Sequence, residues 1–325
     1  MQTPETKNRK QSFFFLTSLI FTAWIGFALA IGGCTVDSAS ASVDEPVSKI
    51  IPTQTAVISP TVKPTKPEPT KQPTLTPTPE TCHEEQGRLE DIEIPNSSLS
   101  YPLKVKVYFP PCYSDYPEKP YPYVIMIHGM LYKNDQWDRL GVDETADKLI
   151  HSGEVNPFLI LMPFEEQSTD NPYEDGFGEA LIDGLLPYME ENYPVCAERS
   201  CRAIGGLSRG AGWAVHIGLS QPEYFQSIGA HSLPPFIGDL ASAPRWLTKI
   251  DQDEMPRVYI DIGILDSGMA PASQFEGILT AYNVPHEWHI NNGEHTEEYW
   301  SNHVGDYLRW YSAGWHDEEP PLIID

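Results

Sequence analysis

The stretch Ala203-Ile204-Gly205-Gly206-Leu207-Ser208-Arg209-Gly210-Ala211 decides the fold. An apolar run ends in Gly-x-Ser-x-Gly, and a helix-like segment continues from Ala211 to Leu219. Glycines on both sides of a serine let a strand turn sharply into a helix, holding the serine in a strained conformation with its hydroxyl exposed. The motif is short, so its weight depends on what surrounds it.

Apolar runs predict strands over Leu89–Ile94, Leu103–Phe109, Tyr123–Ile127, Phe158–Met162, Arg202–Leu207, Ser227–Ala230, Val258–Ile262 and Glu287–Ile290. Amphipathic stretches predict helices over Asp143–Ser152, Gly178–Asn192, Arg209–Leu219, Pro271–Tyr282 and Glu297–Tyr311. A hairpin followed by alternating strands and helices implies an α/β fold with a mostly parallel central sheet, an antiparallel N-terminal edge and helices on both faces. Reactive groups in such sheets gather at the carboxyl ends of the strands.

A serine hydroxyl attacks well only when an imidazole takes its proton and a carboxylate fixes that imidazole's tautomer. Asp266 follows the strand ending at Ile262, and His295 follows the strand ending at Ile290. The order Ser208, Asp266, His295 is that of α/β-hydrolases. Asp261, inside its strand, reads as structural and is the second choice for the acid, while His231 reads as a pocket residue. His286, His289, His303 and His316 read as ordinary surface or core histidines, and Glu294 as a neighbour able to tune the base. Two amides should meet the oxyanion of an acyl-transfer intermediate. They are those of Arg209 and of Met130, in His128-Gly129-Met130-Leu131, with His128 structural.

The chain resembles the esterase D and enterochelin-esterase-like family of α/β-hydrolases, which includes feruloyl and acetylxylan esterases. The resemblance spans about Gly87 to Trp310. It rests on Val107-Tyr108-Phe109-Pro110-Pro111, Ile127-His128-Gly129-Met130 with Trp137, and Leu186-Pro187-Tyr188. It rests also on Gly205 to Gly210, Gly263-x-x-Asp266 and Gly293-Glu294-His295-x4-Trp300. It implies Ser208 as nucleophile, Asp266 as acid, His295 as base and Met130 and Arg209 as oxyanion donors. Arg209 departs from the Met or Gln usual at its place, and pairing with local carboxylates is the expected use of its side chain.

The implied activity is serine-dependent hydrolysis of carboxylic esters without cofactor or metal. Acyl transfer to a sugar or lipid, and a binding role on a hydrolase scaffold, are the alternatives. Trp137, Tyr173, Phe177, Tyr299 and Trp300 could line an aromatic pocket, although aromatics at such spacings more often form core.

Lys7, Arg9 and Lys10 precede an uncharged run from Gln11 to Gly33, and Ile31-Gly32-Gly33-Cys34 closes it. Residues 1–33 resemble a lipoprotein signal with Cys34 as the lipid-bearing residue, and an uncleaved signal anchor is the alternative. Either leaves the remainder outside the cytoplasm, membrane-tethered. Residues 34–81 are rich in Pro and Thr and read as a disordered stalk, with a reach on the order of 100 Å.

Residues 82–325 read as one catalytic domain, keeping 14 of the 21 Lys+Arg and 40 of the 46 Asp+Glu, a net charge near −26. That charge makes nucleic acid a poor partner. Of the four remaining cysteines, Cys82 is expected to pair with Cys112 and Cys196 with Cys201, because these are chain-local.

Overall fold

The computed structural model describes residues 84–315, residue 116 excepted. The signal segment, Cys34, the stalk, Cys82 and His316 therefore lie outside the described residues. Among the described residues no helix is long and apolar enough to cross a membrane.

Eight strands form one sheet in the order β1-β2-β4-β3-β5-β6-β7-β8. They are β1 (Arg88–Ile94), β2 (Leu103–Phe109), β3 (Tyr123–Ile127), β4 (Leu159–Pro163), β5 (Arg202–Leu207), β6 (Ser227–His231), β7 (Arg257–Gly263) and β8 (His286–Asn291). β2 pairs antiparallel with both β1 and β4, and β4 through β8 run parallel. The expected architecture is present.

Successive side chains of a strand face opposite sides, and here both sides are covered. Tyr123, Ile125 and Ile127 of β3 join one apolar core, while Val124 and Met126 join the other. Two helices, α1 (Gln136–Arg139) and α2 (Val142–His151), lie over the second core with α8 (Glu297–Ser312). The first core is covered by α3 (Phe177–Glu179), α4 (Leu186–Asn192), α5 (Arg209–Ser220), α6 (Asp239–Leu247) and α7 (Met269–Ala281). Both cores and the whole sheet lie within residues 84–315, so the segment 82–325 carries its own folding core.

The helix expected over Gly178–Asn192 is not uniform: a π-helical segment, Ala180–Leu185, separates α3 from α4. Pro187, in the first turn of α4, has no N–H to donate, and its ring crowds the carbonyl four residues back; the backbone widens just before it. Two helices escape the sequence reading. α1 is a single turn, and α6 contains Pro244, which disguises the pattern.

Cys196 and Cys201 are joined in a disulfide with Cα atoms 5.8 Å apart. Cys112 is also disulfide-bonded, and its expected partner Cys82 lies outside the described residues. β1 begins at Arg88 opposite Phe109, beside the amino-terminal ends of the parallel strands. The other end of the described chain reaches the same pole, where the Trp315 ring packs 5.1 Å from Phe158, just ahead of β4.

Candidate active site

Ser208 stands between β5 and α5 at φ 52°, ψ −120°, a conformation that side-chain-bearing residues rarely adopt. The reason glycine flanks it is spatial. A Cβ on Gly206 would sit 2.7 Å from the Ile127 carbonyl oxygen, and one on Gly210 2.8 Å from that of His128. Both are closer than carbon and oxygen can approach, so the turn closes only with hydrogen at those positions. The Ser208 N–H donates to the His231 carbonyl at 2.8 Å, tying the turn to β6.

His295, in the loop after β8, places Nε2 2.9 Å from Ser208 Oγ. Its Nδ1 lies 2.8 Å from Asp266 Oδ2. Hydrogen-bond accounting assigns the neutral tautomer: Nδ1–H donates to the carboxylate, and Nε2 accepts from the serine hydroxyl. Burial works against the charge of Asp266, but the bonds from His295, the Gly268 amide and the Ser232 hydroxyl outweigh it, holding the carboxyl below its ordinary value. A carboxylate kept ionised beside the imidazole stabilises the imidazolium that appears when the serine proton is taken.

Trp300 braces His295. Its ring stands edge-on to His295 at 5.0 Å, and its Nε1–H donates to Ser232 Oγ at 3.0 Å.

The loop after β3 is pinned by three bonds. The Gly129 amide donates to Gln136 Oε1 at 2.8 Å, the Leu131 amide to Ser168 Oγ at 2.9 Å, and the Glu165 amide to His128 Nε2 at 2.9 Å. Among the described residues the Met130 amide has no acceptor. Arg209 opens α5, where a first-turn amide has no intrahelical acceptor. Both flank Ser208 at the wall of one cleft, as an oxyanion site requires.

His128 is buried and structural, as expected. Because Nε2 accepts from Glu165, its proton sits on Nδ1 and is donated to the Gly129 carbonyl at 2.7 Å. Burial depresses its pKa from 6.5 to about 4. The unfolded chain takes up this proton near pH 6.5 and the folded chain only near pH 4, so stability falls as pH drops through that window. Replacing His128 with Gln should remove about 3 kcal/mol of the acid sensitivity between pH 7 and 4. Urea unfolding of both proteins at the two pH values measures the difference.

The Arg209 side chain is occupied as the sequence suggests. Its Nε donates to Glu165 Oε1 and Oε2 at 2.8 and 2.9 Å, and its Nη2 also reaches Asp175 at 3.4 Å. Glu165 further accepts from Trp213 Nε1 at 2.8 Å. Burial first, then the charge of Glu165, pushes Asp175 up to about 6 despite Arg209. Glu165 and Gln136 were absent from the sequence reading. Glu165 follows the end of β4, so the strand-end rule could have found it, whereas nothing in the sequence singles out Gln136.

Beside Ser208 opens a cleft of about 720 Å³, walled by Met130, Tyr173, Pro234, Pro235, Phe236 and Ile237. Of the five aromatics considered for such a pocket, Tyr173 lines it. Trp137, Phe177, Tyr299 and Trp300 are buried in the two cores instead, Trp137 through an indole bond to the Ile127 carbonyl at 3.1 Å. Tyr173 is fixed by its hydroxyl, which donates to Asp239 Oδ1 at 2.5 Å.

His231 is not a pocket residue. It is fully buried, with Nδ1 2.7 Å from Asp261 Oδ1, Nε2 3.0 Å from the Tyr311 hydroxyl and its ring stacked on Tyr307 at 3.6 Å. As β6 lies between β5 and β7, its side chain turns into the helical cover rather than the cleft. Asp261 belongs to this second, buried pair and is structural, as its place inside β7 suggests. Glu294 is exposed, next to His295 in the same loop.

A family model described as Putative esterase matches residues 96–311, which takes in every residue of the site. The chain belongs to this esterase family. A xylanase/feruloyl esterase of Xylanibacter ruminicola is 27% identical over 149 residues, covering 43% of this chain and 20% of that protein. The chain thus spans under a third of the length of the curated relatives it matches. Among solved structures, a ferulic acid esterase superposes with a TM-score of 0.64 at 24% identity, covering 70% of this chain and 99% of that one. The feruloyl esterase module of Clostridium thermocellum, in complex with sinapinate, superposes with a TM-score of 0.62 at 17% identity, covering 75% and 95%. These structures share the α/β-hydrolase fold of this esterase.

Proposed function

We propose that this chain hydrolyses carboxylic esters through an acyl-enzyme on Ser208. The observation that carries the reading is the unbroken relay Ser208 Oγ to His295 Nε2 at 2.9 Å and His295 Nδ1 to Asp266 at 2.8 Å. Ser208 Oγ attacks the ester carbonyl as His295 takes its proton, and the amides of Met130 and Arg209 receive the negative charge that forms on the carbonyl oxygen. His295 then gives the proton to the departing alcohol. A water repeats the sequence on the acyl-enzyme, releasing the acid and restoring the serine. The chemistry needs no metal or cofactor in any step.

The acyl group enters the cleft of Met130, Tyr173, Phe236 and Ile237, whose apolar, partly aromatic walls suit an uncharged aryl group of feruloyl type. The related proteins named for feruloyl esters support that class. The His295 side chain is 37% exposed, which leaves water free to reach the acyl-enzyme and favours hydrolysis over transfer. Secretion and tethering through Cys34 belong to the same proposal and rest on the N-terminal sequence.

The test is to expose residues 82–325 to a fluorophosphonate probe and locate the modified residue by mass spectrometry. Labelling confined to Ser208 and lost in His295→Ala is expected. A folded sample that does not label would remove the reading.

A further inference from the structure

Apart from Ile290 in the edge strand β8, the strongly exposed large hydrophobic side chains among the described residues share one location. Leu131 and Tyr132 follow β3, Tyr173 follows β4, Ile237 follows β6, and Ile264 and Leu265 follow β7. All are at the carboxyl ends of parallel strands, in the loops that also carry Met130, Asp266 and the cleft. Exposures reach 76% for Leu131, 70% for Leu265 and 98% for Ile237, and none of this class is found at the opposite pole among the described residues. Scattered apolar side chains on a surface mean little, but several of them gathered in the loops that carry one cleft are a surface kept for something.

Leu131 adds an independent sign. It is held at φ 68°, a left-handed conformation costly for a branched side chain, while its side chain contributes little to the core. Asn or Gly would satisfy that backbone with less strain, so the leucine serves what lies outside.

Charge narrows the occupant. A net charge near −26 over residues 82–325 opposes an anionic membrane and opposes close approach of a second copy. A neutral phase made of the ester itself carries no charge to be repelled, matches an uncharged apolar rim and lies where the cleft would take its acyl groups. Resting on the esterase reading above, we infer that the rim of Leu131, Tyr132, Ile237, Ile264 and Leu265 adsorbs this protein onto insoluble, acyl-rich ester surfaces, from which single acyl groups enter the cleft.

Adsorption is read first without turnover, on residues 82–325 so that the uncharged run near the N-terminus takes no part. The Ser208→Ala form of this segment is mixed with a triolein emulsion and centrifuged. It should float with the droplets, and the added substitutions Leu131→Asn, Ile264→Ser and Leu265→Ser should cut the floating fraction about tenfold. Failure to float, or flotation that survives the three substitutions, overturns the inference. So does a dimer in sedimentation that the same substitutions dissociate, since the rim would then be a contact between copies.

Turnover is read second, with the Ser208 protein on tributyrin. The rate should step up as droplets form above saturation, and the triple variant should lose the step while still hydrolysing dissolved ester. A rate that passes smoothly through saturation also overturns the inference. Absence of hydrolysis of dissolved ester overturns the esterase reading instead.

Discussion

Ser208→Ala should lower kcat/KM for a soluble ester by about 10⁴-fold or more while leaving the unfolding midpoint nearly unchanged. Alanine keeps the Cβ, so the backbone at φ 52° is neither relieved nor further strained, and the bond from the residue 208 amide to the His231 carbonyl persists. What disappears is the oxygen that bonds to the acyl carbon. His295→Ala should cost a similar amount, and the double variant little more, because nucleophile and base act as a unit. Ser208→Gly makes a revealing comparison: equally inactive, it should be more stable by about 1 kcal/mol, since glycine accepts the left-handed conformation freely. Initial rates with a chromogenic ester, together with urea unfolding of each variant, separate the two effects.

Asp261→Ala should be the most damaging single change to the fold, destabilising by about 3–5 kcal/mol. Its carboxylate accepts from His231 Nδ1 at 2.7 Å, from the Tyr299 hydroxyl at 2.7 Å and from the Tyr307 hydroxyl at 2.8 Å, all in the second core. Burial, and then the negative charge of Asp261, push Tyr307 well above its ordinary value, so the tyrosine stays a hydrogen-bond donor throughout the working pH range. Removing the acceptor strands three donors away from water. Asp266→Ala should show the opposite balance. Its main partner, His295, is partly exposed and can turn to water, so stability should fall little while turnover falls steeply. Guanidinium unfolding and steady-state rates on the two variants measure the contrast.

The two Asp–His pairs also show how far the sequence can be read. The strand segments and most boundaries follow from apolar runs, because parallel strands buried on both faces are nearly continuous in hydrophobicity, whereas the order of the strands in the sheet does not. β3 and β5 fall where the runs place them. The relay was legible because strand ends in this topology are fixed points, and Ser208, Asp266 and His295 each follow one. His231 stands at a strand end too, yet it is buried. Its rotation about the strand axis, which the run Ser227-Ile228-Gly229-Ala230 does not reveal, turns it beneath the sheet. The cleft was the least legible part. Tyr173, Phe236 and Ile237 come from loops without periodicity, and aromatic spacing alone could not separate Tyr173 from the four aromatics buried in the cores. The rim was invisible for the same reason, since exposure is a property of the assembled loops and not of any short segment.

The pole at which both ends of the described chain emerge lies across the sheet from Ser208. Attachment at either end of the described residues therefore approaches the domain from the pole opposite the cleft. A short coupling to a bead at residue 84 or residue 315 should leave the cleft open to solid ester pressed against the bead.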